Sequence, residues 1–337
     1  MCMKFRVLCL IAAIAIAPVA WGQTTAREDA QLDSEIAAIA QAHHGRVAVF
    51  AENLKTGETA SLQPDMPVQT ASVIKLGILL DAAEQIRAGH ATLGEKLVLN
   101  HNNQVEGSGV LSQLDTPLVL TLKDTLTLMV ILSDNTATNM AIDRLGLEHI
   151  NQTLQAAGLK QTVLYKKVFL PPPPNMPKDQ PKFGLGKTTP REIASIMERF
   201  ADCRLDLGKS VSSEPSNGDE AICAAILHML RNQQDRDSLP RYLQTLDTSE
   251  KGSAIANKTG ALNQVRNDVA LIASKNGPIV IAAFTQDNAD QRWTPENEGE
   301  LTLAKLGQAI VARWSPGGLD AASFPWDRPK AAAQAAP

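Results

Sequence analysis

A serine and a lysine three residues apart stand at the start of a strongly apolar helical segment. Ser72 and Lys75 fall on one face of that helix, one turn apart, so an amine comes close to a hydroxyl. A serine hydroxyl is a weak nucleophile until a base takes its proton, and a partly desolvated lysine near other cations can have a pKa low enough to do this. The pair suits nucleophilic catalysis, although a helix N-cap at Ser72 and a surface charge at Lys75 would explain the motif if it stood alone.

Two further tripeptides offer polar groups to the same chemistry. The segment Ser133–Asn135 lies at a turn between two apolar helices and presents a hydroxyl and an amide. Its alternative role is an N-cap for the following helix. The segment Lys258–Gly260 ends a short strand, where Lys258 supplies a fixed positive charge and Gly260 lets a ligand approach the backbone. Its alternative role is a strand-end turn.

The elements around these motifs predict a mixed protein. Apolar periodicity predicts a helix over 27–44, hairpin strands over 46–54 and 59–62, mostly helices from 72 to about 228, strands over 254–258, 266–274 and 278–285, and a closing helix over 296–314. Strands at both ends of the chain predict an α+β fold with two lobes. The terminal segments share one antiparallel sheet with flanking helices, and residues from about 72 to 232 form an all-helical lobe. We expect the site in the groove between the lobes.

Composition and the first residues restrict the classes of function. The 337 residues are 44% apolar and 20% charged with a formal net charge of -4, and no long basic run suggests nucleic-acid binding. Lys4 and Arg6 precede an uncharged apolar run that is too short to span a bilayer and ends at Ala20-Trp21-Gly22. This pattern predicts a signal peptide over 1–22 and a secreted or periplasmic protein without a membrane anchor after cleavage, an uncleaved amphipathic anchor being the alternative.

The remaining features concern cysteines, metals and assembly. Cys203 and Cys223 are the two cysteines after the leader, which permits one disulfide closing a loop of about twenty residues. Two buried free thiols are the alternative. Without a clustered histidine motif we predict neither a metal nor a cofactor, and without amphipathic heptads we predict a monomer. Residues 315–337 are predicted to form a C-terminal tail with a disordered end.

The three motifs occur in the order S-x-x-K, S-D-N and K-T-G, each at a predicted helix start, interhelical turn or strand. Together they resemble the class A β-lactamases and the related penicillin-binding serine enzymes. Further segments are similar to this family: Gly107–Leu111, 133–139, Thr188–Pro190 and 266–270. The resemblance covers about 36–314 and implies one β-lactamase-like catalytic domain over 27–314.

The resemblance implies a covalent serine mechanism on a β-lactam or a related small acyl substrate. Ser72 would attack the carbonyl while Lys75 helps to take its proton. Ser133 would pass a proton to the leaving nitrogen with electrostatic help from Lys258. The backbone N–H groups of Ser72 and Ala261 would form the oxyanion hole.

The resemblance also implies residues that bind the substrate. Asn135 would hold the amide of the substrate side chain. Lys258, Thr259 and Arg266 would bind the substrate carboxylate beside Gly260. Arg266 is the weakest match, because the spacing after the glycine varies in the family.

One family motif is missing from the sequence. Class A enzymes carry a glutamate, within a Glu-x-x-Leu-Asn motif on the loop before the Thr-Thr-Pro segment, that activates the deacylating water. Between Glu148 and Glu192 the only acid is Asp179, for which a solvated or lysine-paired carboxylate is the simpler interpretation. Glu106, just before Gly107, is a second candidate, again with a surface role as the simpler interpretation. The sequence therefore supports acylation and leaves rapid hydrolysis of the acyl-enzyme in question.

Three functions follow from these observations. The leading hypothesis is an exported serine β-lactamase-like hydrolase that opens β-lactams through an acyl-enzyme on Ser72. The first alternative is a penicillin-binding, peptidase-type or esterase-type serine enzyme with slow deacylation. The second alternative is a non-catalytic module that binds β-lactams or cell-wall fragments.

Overall fold

A computed structural model describes residues 27–207, 217–250 and 252–324. The predicted signal peptide over 1–22 and the end of the predicted tail, 325–337, lie outside the described residues. Within the described part of the chain, none of the helices has the length and hydropathy of a transmembrane segment.

Strands and helices follow one another in the predicted order, with additional short strands. The strands are β1 (Arg27–Glu28), β2 (Arg46–Asn53), β3 (Glu58–Leu62), β4 (Val68–Gln69), β5 (Lys96–Leu99), β6 (Leu118–Thr121), β7 (Val163–Leu164), β8 (Gly186–Thr188), β9 (Ile255–Leu262), β10 (Val265–Ile272) and β11 (Ile279–Gln286). The helices are α1 (Ala30–Gln41), α2 (Lys75–Arg87), α3 (Leu122–Ile131), α4 (Asn135–Leu145), α5 (Leu147–Ala156), α6 (Gln180–Phe183), α7 (Pro190–Ala201), α8 (Asn217–Arg231) and α9 (Glu298–Trp314).

Helix starts are set by capping residues that can be read in the sequence. Thr189 accepts the backbone N–H of Glu192 at the start of α7, and Pro190 occupies the first helical turn, where its missing N–H costs nothing. At the start of α3, Thr121 and Asp124 form a reciprocal capping box.

The main sheet combines the two ends of the chain. Its strand order is β1-β3-β2-β11-β10-β9, and every pair is antiparallel except β1 with β3. The register pairs Arg46 with Gln286 and Asn53 with Ile279, so the N-terminal hairpin lies beside the last strand. The predicted α+β fold with one shared sheet is confirmed, and β9 forms one edge of that sheet.

Helices cover both faces of the sheet. Every residue of β10 and β11 is buried, which requires cover on each side because neighbouring side chains point to opposite faces. Helices α1 and α9 pack against each other, and α9 packs on β10 and β11, whereas α7 packs on β2, β10 and β11. Helix α7 therefore packs on the main sheet, whereas the sequence analysis placed it in the helical lobe.

The middle of the chain is built around α2, which is buried along most of its length and packs against α4, α5 and α8. It differs from an all-helical lobe because it contains two small sheets, β4-β8-β7 and β5-β6. These strands have two to four residues each. Segments of that length are too short to show the alternation by which strands are recognised in a sequence.

A disulfide joins the end of α7 to α8. Cys203 and Cys223 are bonded and almost completely buried. The disulfide pairing is confirmed over the alternative of two free thiols. It ties a helix that packs on the main sheet to one that packs beside α2.

Candidate active site

Ser72 lies in a 3₁₀ turn, Ala71–Ile74, that leads directly into α2. The side chain is half-buried, and Ala71 before it has a φ of +44°, a left-handed conformation that is strained for a residue with a Cβ atom. Asn267 on β10 holds the preceding backbone by donating to the carbonyl oxygens of Gln69 at 2.8 Å and Thr70 at 3.1 Å. The sheet therefore fixes the turn that presents Ser72.

The lysines of two different motifs meet at the hydroxyl of Ser133. The Nζ of Lys75 donates to Ser133 Oγ at 3.0 Å and to the Ser133 carbonyl oxygen at 2.7 Å. The Nζ of Lys258 donates to the same Oγ at 3.2 Å and to the carbonyl oxygen of Thr259 at 2.7 Å. The structure therefore brings the three sequence motifs together around one oxygen atom.

Both lysines are fully buried, and burial changes their protonation. Burial lowers the pKa of Lys75 well below its ordinary value, the positive charge of Lys258 lowers it further, and Asp134 opposes these effects. Burial lowers the pKa of Lys258 to about 8, against the opposing charges of Asp235 and Asp268. Burial and the neighbouring charge thus favour the neutral amine of Lys75, the form that can act as a base, whereas Lys258, with a pKa of about 8, is largely protonated at neutral pH.

Asp134 anchors the turn that carries Ser133. Its Oδ1 accepts the backbone N–H of Ala137 at 2.8 Å and so caps α4, as the sequence allowed. Its Oδ2 accepts the N–H groups of Val110 at 2.7 Å and Leu111 at 2.9 Å. Ser133 itself has a φ of +54°, so the backbone is strained beside this serine as well. The sequence pointed to both segments but gave no sign that Asp134 joins them.

The loop over 107–111 docks closely against the same turn. A Cβ atom on Gly109 would lie 2.1 Å from Asp134 Oδ2, so only glycine permits this contact. Asn135 donates its backbone N–H to the Ser108 carbonyl at 3.0 Å and its Nδ2 to the Glu106 carbonyl at 3.1 Å. Asn135 lines the groove, whereas Glu106, which was a candidate base, is exposed outside the groove lining.

Strand β9 passes against the Ser72 turn. A Cβ atom on Gly260 would lie 2.6 Å from the Thr70 carbonyl oxygen and 2.9 Å from the Ser72 nitrogen. Gly260 pairs with Asn267 in the sheet register, so the turn lies against the sheet face to which these two residues point. Ala261, the next residue, lines the groove together with Ser72. This is the placement expected for two backbone donors that stabilise one oxyanion.

The groove in front of Ser72 has a volume of about 1190 Å³. Its described lining is apolar and amide-rich and contains no aspartate or glutamate; Lys166 is the one charged residue in it. In residues 27–207, 217–250 and 252–324, no group of three or more His, Cys, Asp or Glu side chains is placed to hold a metal ion. The chemistry available at this groove is that of hydroxyls, amines and backbone amides.

Asp179 is paired with a lysine away from the groove lining. Its carboxylate accepts from Tyr165 Oη at 2.8 Å and from Lys187 Nζ at 2.7 Å. The hydrogen bond from Lys187 holds the pKa of Asp179 below its ordinary value. The lysine-paired interpretation describes this residue, and Asp179 does not line the groove in front of Ser72.

Arg266 is the predicted site residue that the fold directs elsewhere. Its guanidinium is buried, forms an ion pair with Glu300 at 3.0 Å and donates to the carbonyl oxygens of Leu262 and Arg292. The Trp293 ring covers it at 4.7 Å from the ring centroid. With its donors engaged and outside the groove lining, Arg266 does not occupy the carboxylate-binding position that the sequence led us to expect.

One groove contact was missed in the sequence. Asn139 on α4 holds the backbone of Val168 on both sides, donating to its carbonyl at 3.1 Å and accepting its N–H at 2.8 Å. Val168 lines the groove and is 8% exposed. The segment over 133–139 was recognised as family-like, but no sequence signal links it to a loop residue almost thirty positions away. Val168 thus has a fixed backbone at the groove, and its side chain there is apolar.

Residues 31–314 match the family model described as the β-lactamase enzyme family. The chain belongs to this β-lactamase enzyme family. No curated protein sequence matches it. The match covers all the residues of the three motifs.

Solved structures share the fold of this β-lactamase family member. The β-lactamase from Sphaerobacter thermophilus DSM 20745 is 28% identical, with a TM-score of 0.69 over 83% of this chain and 95% of that chain. A leucine-to-glutamate variant of PBP-A, described as an acyl-enzyme complex with penicillin-G, is 23% identical, with a TM-score of 0.68 over 86% and 97%. An ancestral class A β-lactamase is 19% identical, with a TM-score of 0.66 over 84% and 100%. The last two likenesses concern the fold alone.

Proposed function

We propose that the protein opens β-lactams by forming an acyl-enzyme on Ser72, and that hydrolysis of this ester is its slow step. The observation that carries the proposal is the convergence of Lys75 and Lys258 on the Ser133 hydroxyl beside the Ser72 turn. Membership of the β-lactamase family supports the substrate class. The reaction class is acyl transfer to a serine with cleavage of a cyclic amide C–N bond.

In the proposed acylation, the neutral amine of Lys75 accepts the Ser72 hydroxyl proton as Oγ bonds to the β-lactam carbonyl carbon. The developing oxyanion accepts hydrogen bonds from the N–H groups of Ser72 and Ala261. A donor of this kind typically contributes about 3 kcal/mol to transition-state stabilisation.

Ring opening then needs a proton on the leaving nitrogen. Ser133 Oγ donates its proton to that nitrogen and regains one from Lys75, whose ammonium lies 3.0 Å away. The ring nitrogen thus gains the Ser133 proton, the proton from Ser72 is relayed through Lys75 to Ser133, and Lys75 is neutral again. The charge of Lys258 lowers the energy of this transfer and offers the substrate carboxylate a partner, with Thr259 beside it.

The deacylation half-reaction lacks an obvious base. Hydrolysis of the ester requires a group that takes a proton from water, and the described groove lining contains no carboxylate. Val168, which faces this groove, has no proton-accepting atom in its side chain. We therefore expect the acyl-enzyme to accumulate.

The same absence of a groove carboxylate favours a second candidate, a penicillin-binding, peptidase-type or esterase-type serine enzyme. A fold neighbour, the PBP-A variant, is described as an acyl-enzyme with penicillin-G. In this candidate function a β-lactam acts as a trap and the physiological substrate is another acyl compound. A non-catalytic binding module would show neither adduct nor turnover.

We also propose that the protein acts as a monomer outside the cytoplasm. The signal pattern over 1–22 and the Cys203–Cys223 disulfide support export, because disulfides persist in oxidising compartments.

The test combines intact mass with turnover of a chromogenic cephalosporin, for wild type, Ser72→Ala and the control Ser34→Ala on the exposed face of α1. We expect one acyl group on wild type and on the control, none on Ser72→Ala, and release slower than formation. Rapid turnover without an accumulating adduct would show that deacylation is not the slow step and that the protein hydrolyses β-lactams efficiently. No adduct and no turnover would refute acylation of β-lactams.

A further inference from the structure

Lys166 is a groove residue whose charge has no acidic partner among the described residues. In the part of the chain that the structure describes, no aspartate or glutamate lies within ion-pair distance of its ammonium, although the side chain is half-buried. Two other lysines of this region are paired: Lys167 binds Asp143 at 2.8 Å and Lys187 binds Asp179 at 2.7 Å. The carboxylates of this region are thus directed away from the groove and onto other lysines.

The charge balance of the groove follows from this arrangement. Lys75 and Lys258 lie buried behind Ser72, Lys166 lies in the wall, and the described lining holds no acidic side chain. A cleft lined by one sign of charge with apolar walls concentrates ligands of the opposite sign. The groove therefore attracts anions at two places: beside the buried Lys258 and, separately, at Lys166.

An aromatic ring lies close to the residue expected to hold the substrate side chain. Phe169 lines the groove, is 66% exposed and has a φ of +59°, a backbone conformation that is rare for an aromatic residue. The Cβ position of Gly107 would lie 3.1 Å from the Phe169 ring and 2.6 Å from Asn135 Nδ2. A side chain that leaves Asn135 therefore meets this ring.

Trp293 lines the same groove and is 64% exposed. Exposed large aromatic side chains in a concave surface indicate a face that binds flat apolar groups. The groove thus combines aromatic surface with an unpaired cation. An aromatic surface and a cation together can bind an aryl group that carries a carboxylate.

We propose that Lys166 and Phe169 select substrates whose acyl side chain carries an aryl group together with a carboxylate. The side-chain carboxylate pairs with the Lys166 ammonium and the aryl ring packs on Phe169, while the amide of the side chain lies at Asn135. This inference rests on the acyl-enzyme function proposed above. It names the substrate class of the same site.

Carbenicillin and benzylpenicillin test the role of Lys166, because they differ by one carboxylate on the side chain. Second-order acylation constants are measured by intact mass at low ionic strength for wild type, Lys166→Met and the control Lys167→Met. We expect Lys166→Met to lower the constant for carbenicillin about tenfold and to leave that for benzylpenicillin within about twofold. The control leaves both constants unchanged, and added salt reduces the difference in the wild type.

The aryl part is tested by Phe169→Leu, which should lower the constants for both penicillins by a similar factor of about three to five. A Lys166→Met variant that slows both penicillins equally, or neither, overturns the selection while leaving acylation intact. Failure of both penicillins to acylate the wild type overturns the proposed function and this inference together. Thermal unfolding of each variant separates a lost contact from a lost fold.

Discussion

Lys75 and Lys258 reach the same oxygen atom, Ser133 Oγ, at 3.0 and 3.2 Å from two separate elements. Two ammonium groups so close together disfavour each other's charge, and the pKa of Lys75 is lowered most strongly. One lysine can thus act as a base while the other remains a cation. This division of roles gives acylation a characteristic dependence on pH.

The acylation rate constant should follow a bell-shaped pH profile. On the acid side it rises as Lys75 loses its proton, since only the neutral amine accepts the Ser72 proton, and this limb lies well below the ordinary lysine pKa. On the alkaline side it falls near pH 8 as Lys258 loses its charge. Stopped-flow acylation by a chromogenic cephalosporin between pH 5 and 10 measures both limbs.

The substitution Lys258→Met should move the acid limb to higher pH and remove the alkaline limb, because the Lys258 charge lowers the pKa of Lys75. Lys123→Met, at an exposed position of α3, serves as the control and should leave both limbs in place. An acid limb that does not move in Lys258→Met would contradict the coupling.

Gly260→Ala should lower the acylation rate constant about a hundredfold. The added Cβ atom collides with the Thr70 carbonyl oxygen and the Ser72 nitrogen, so it forces β9 away from the turn and separates the two oxyanion donors. Gly94→Ala, where a Cβ atom meets nothing within 4 Å, is the matched control and should acylate normally. If Gly260→Ala acylates as fast as the wild type, the close approach has no catalytic role.

Val168→Glu should accelerate release of the acyl group by about tenfold or more. Asn139 fixes the backbone of Val168 at the groove, so a carboxylate introduced there meets the acyl-enzyme, and its burial raises its pKa toward the range of a useful general base. The matched variant Val168→Gln has the same size without a base. Mass spectrometry after removal of excess penicillin follows the decay, and equal rates in the two variants would exclude a carboxylate effect.

Glu198→Gln should change how stability depends on pH. Burial and the neighbouring charge of Glu52 raise the pKa of Glu198 on α7 to about 7. The folded state binds this proton more tightly than the unfolded state. The protonated carboxyl therefore contributes to the free energy of unfolding fully below pH 4.5, and this contribution is lost as pH rises through 7. The variant should therefore lose less stability than the wild type between pH 5 and pH 8 in urea unfolding.

Glu148→Gln at an exposed position of α5 is the control for that experiment and should follow the wild type. Glu300 and Asp268 also have pKa values raised to about 7 by burial, so the informative quantity is the difference between variants. If the unfolding free energy of Glu198→Gln depends on pH in the same way as that of the wild type, the pKa of Glu198 is not raised in the folded state.

The arrangement within each motif could be predicted from the sequence because each motif is local. A spacing of three residues places Ser72 and Lys75 on one helical face in nearly any helix, and the even number of cysteines after the leader permitted the disulfide without deciding it. Thr189 and Pro190 at the start of α7 are likewise local signals of a helix N-terminus. Properties that depend on a few neighbouring residues were therefore accessible.

Properties that depend on distant partners were not accessible. The sequence predicted that Arg266 binds the substrate carboxylate. In the structure its guanidinium pairs with Glu300 on α9 and lies against the ring of Trp293. In the sequence Lys166 is one of several lysines in the same stretch. Its lack of an acidic partner among the described residues depends on the structure, where Asp143 binds Lys167 and Asp179 binds Lys187. Both outcomes are set by tertiary contacts that leave no periodic signal.

The pairing of β2 with β11 bears on how the chain folds during synthesis. The hairpin of β2 and β3 leaves the ribosome early, yet the neighbour of β2 in the sheet is the last strand to be made. Contacts so distant in sequence close slowly, and until β11 arrives the edge of β2 offers unpaired backbone groups to other chains. A nascent chain that stops before β11 therefore cannot assemble the sheet that holds β9 against the Ser72 turn. Catalytic competence is acquired only after nearly the whole polypeptide has been synthesised.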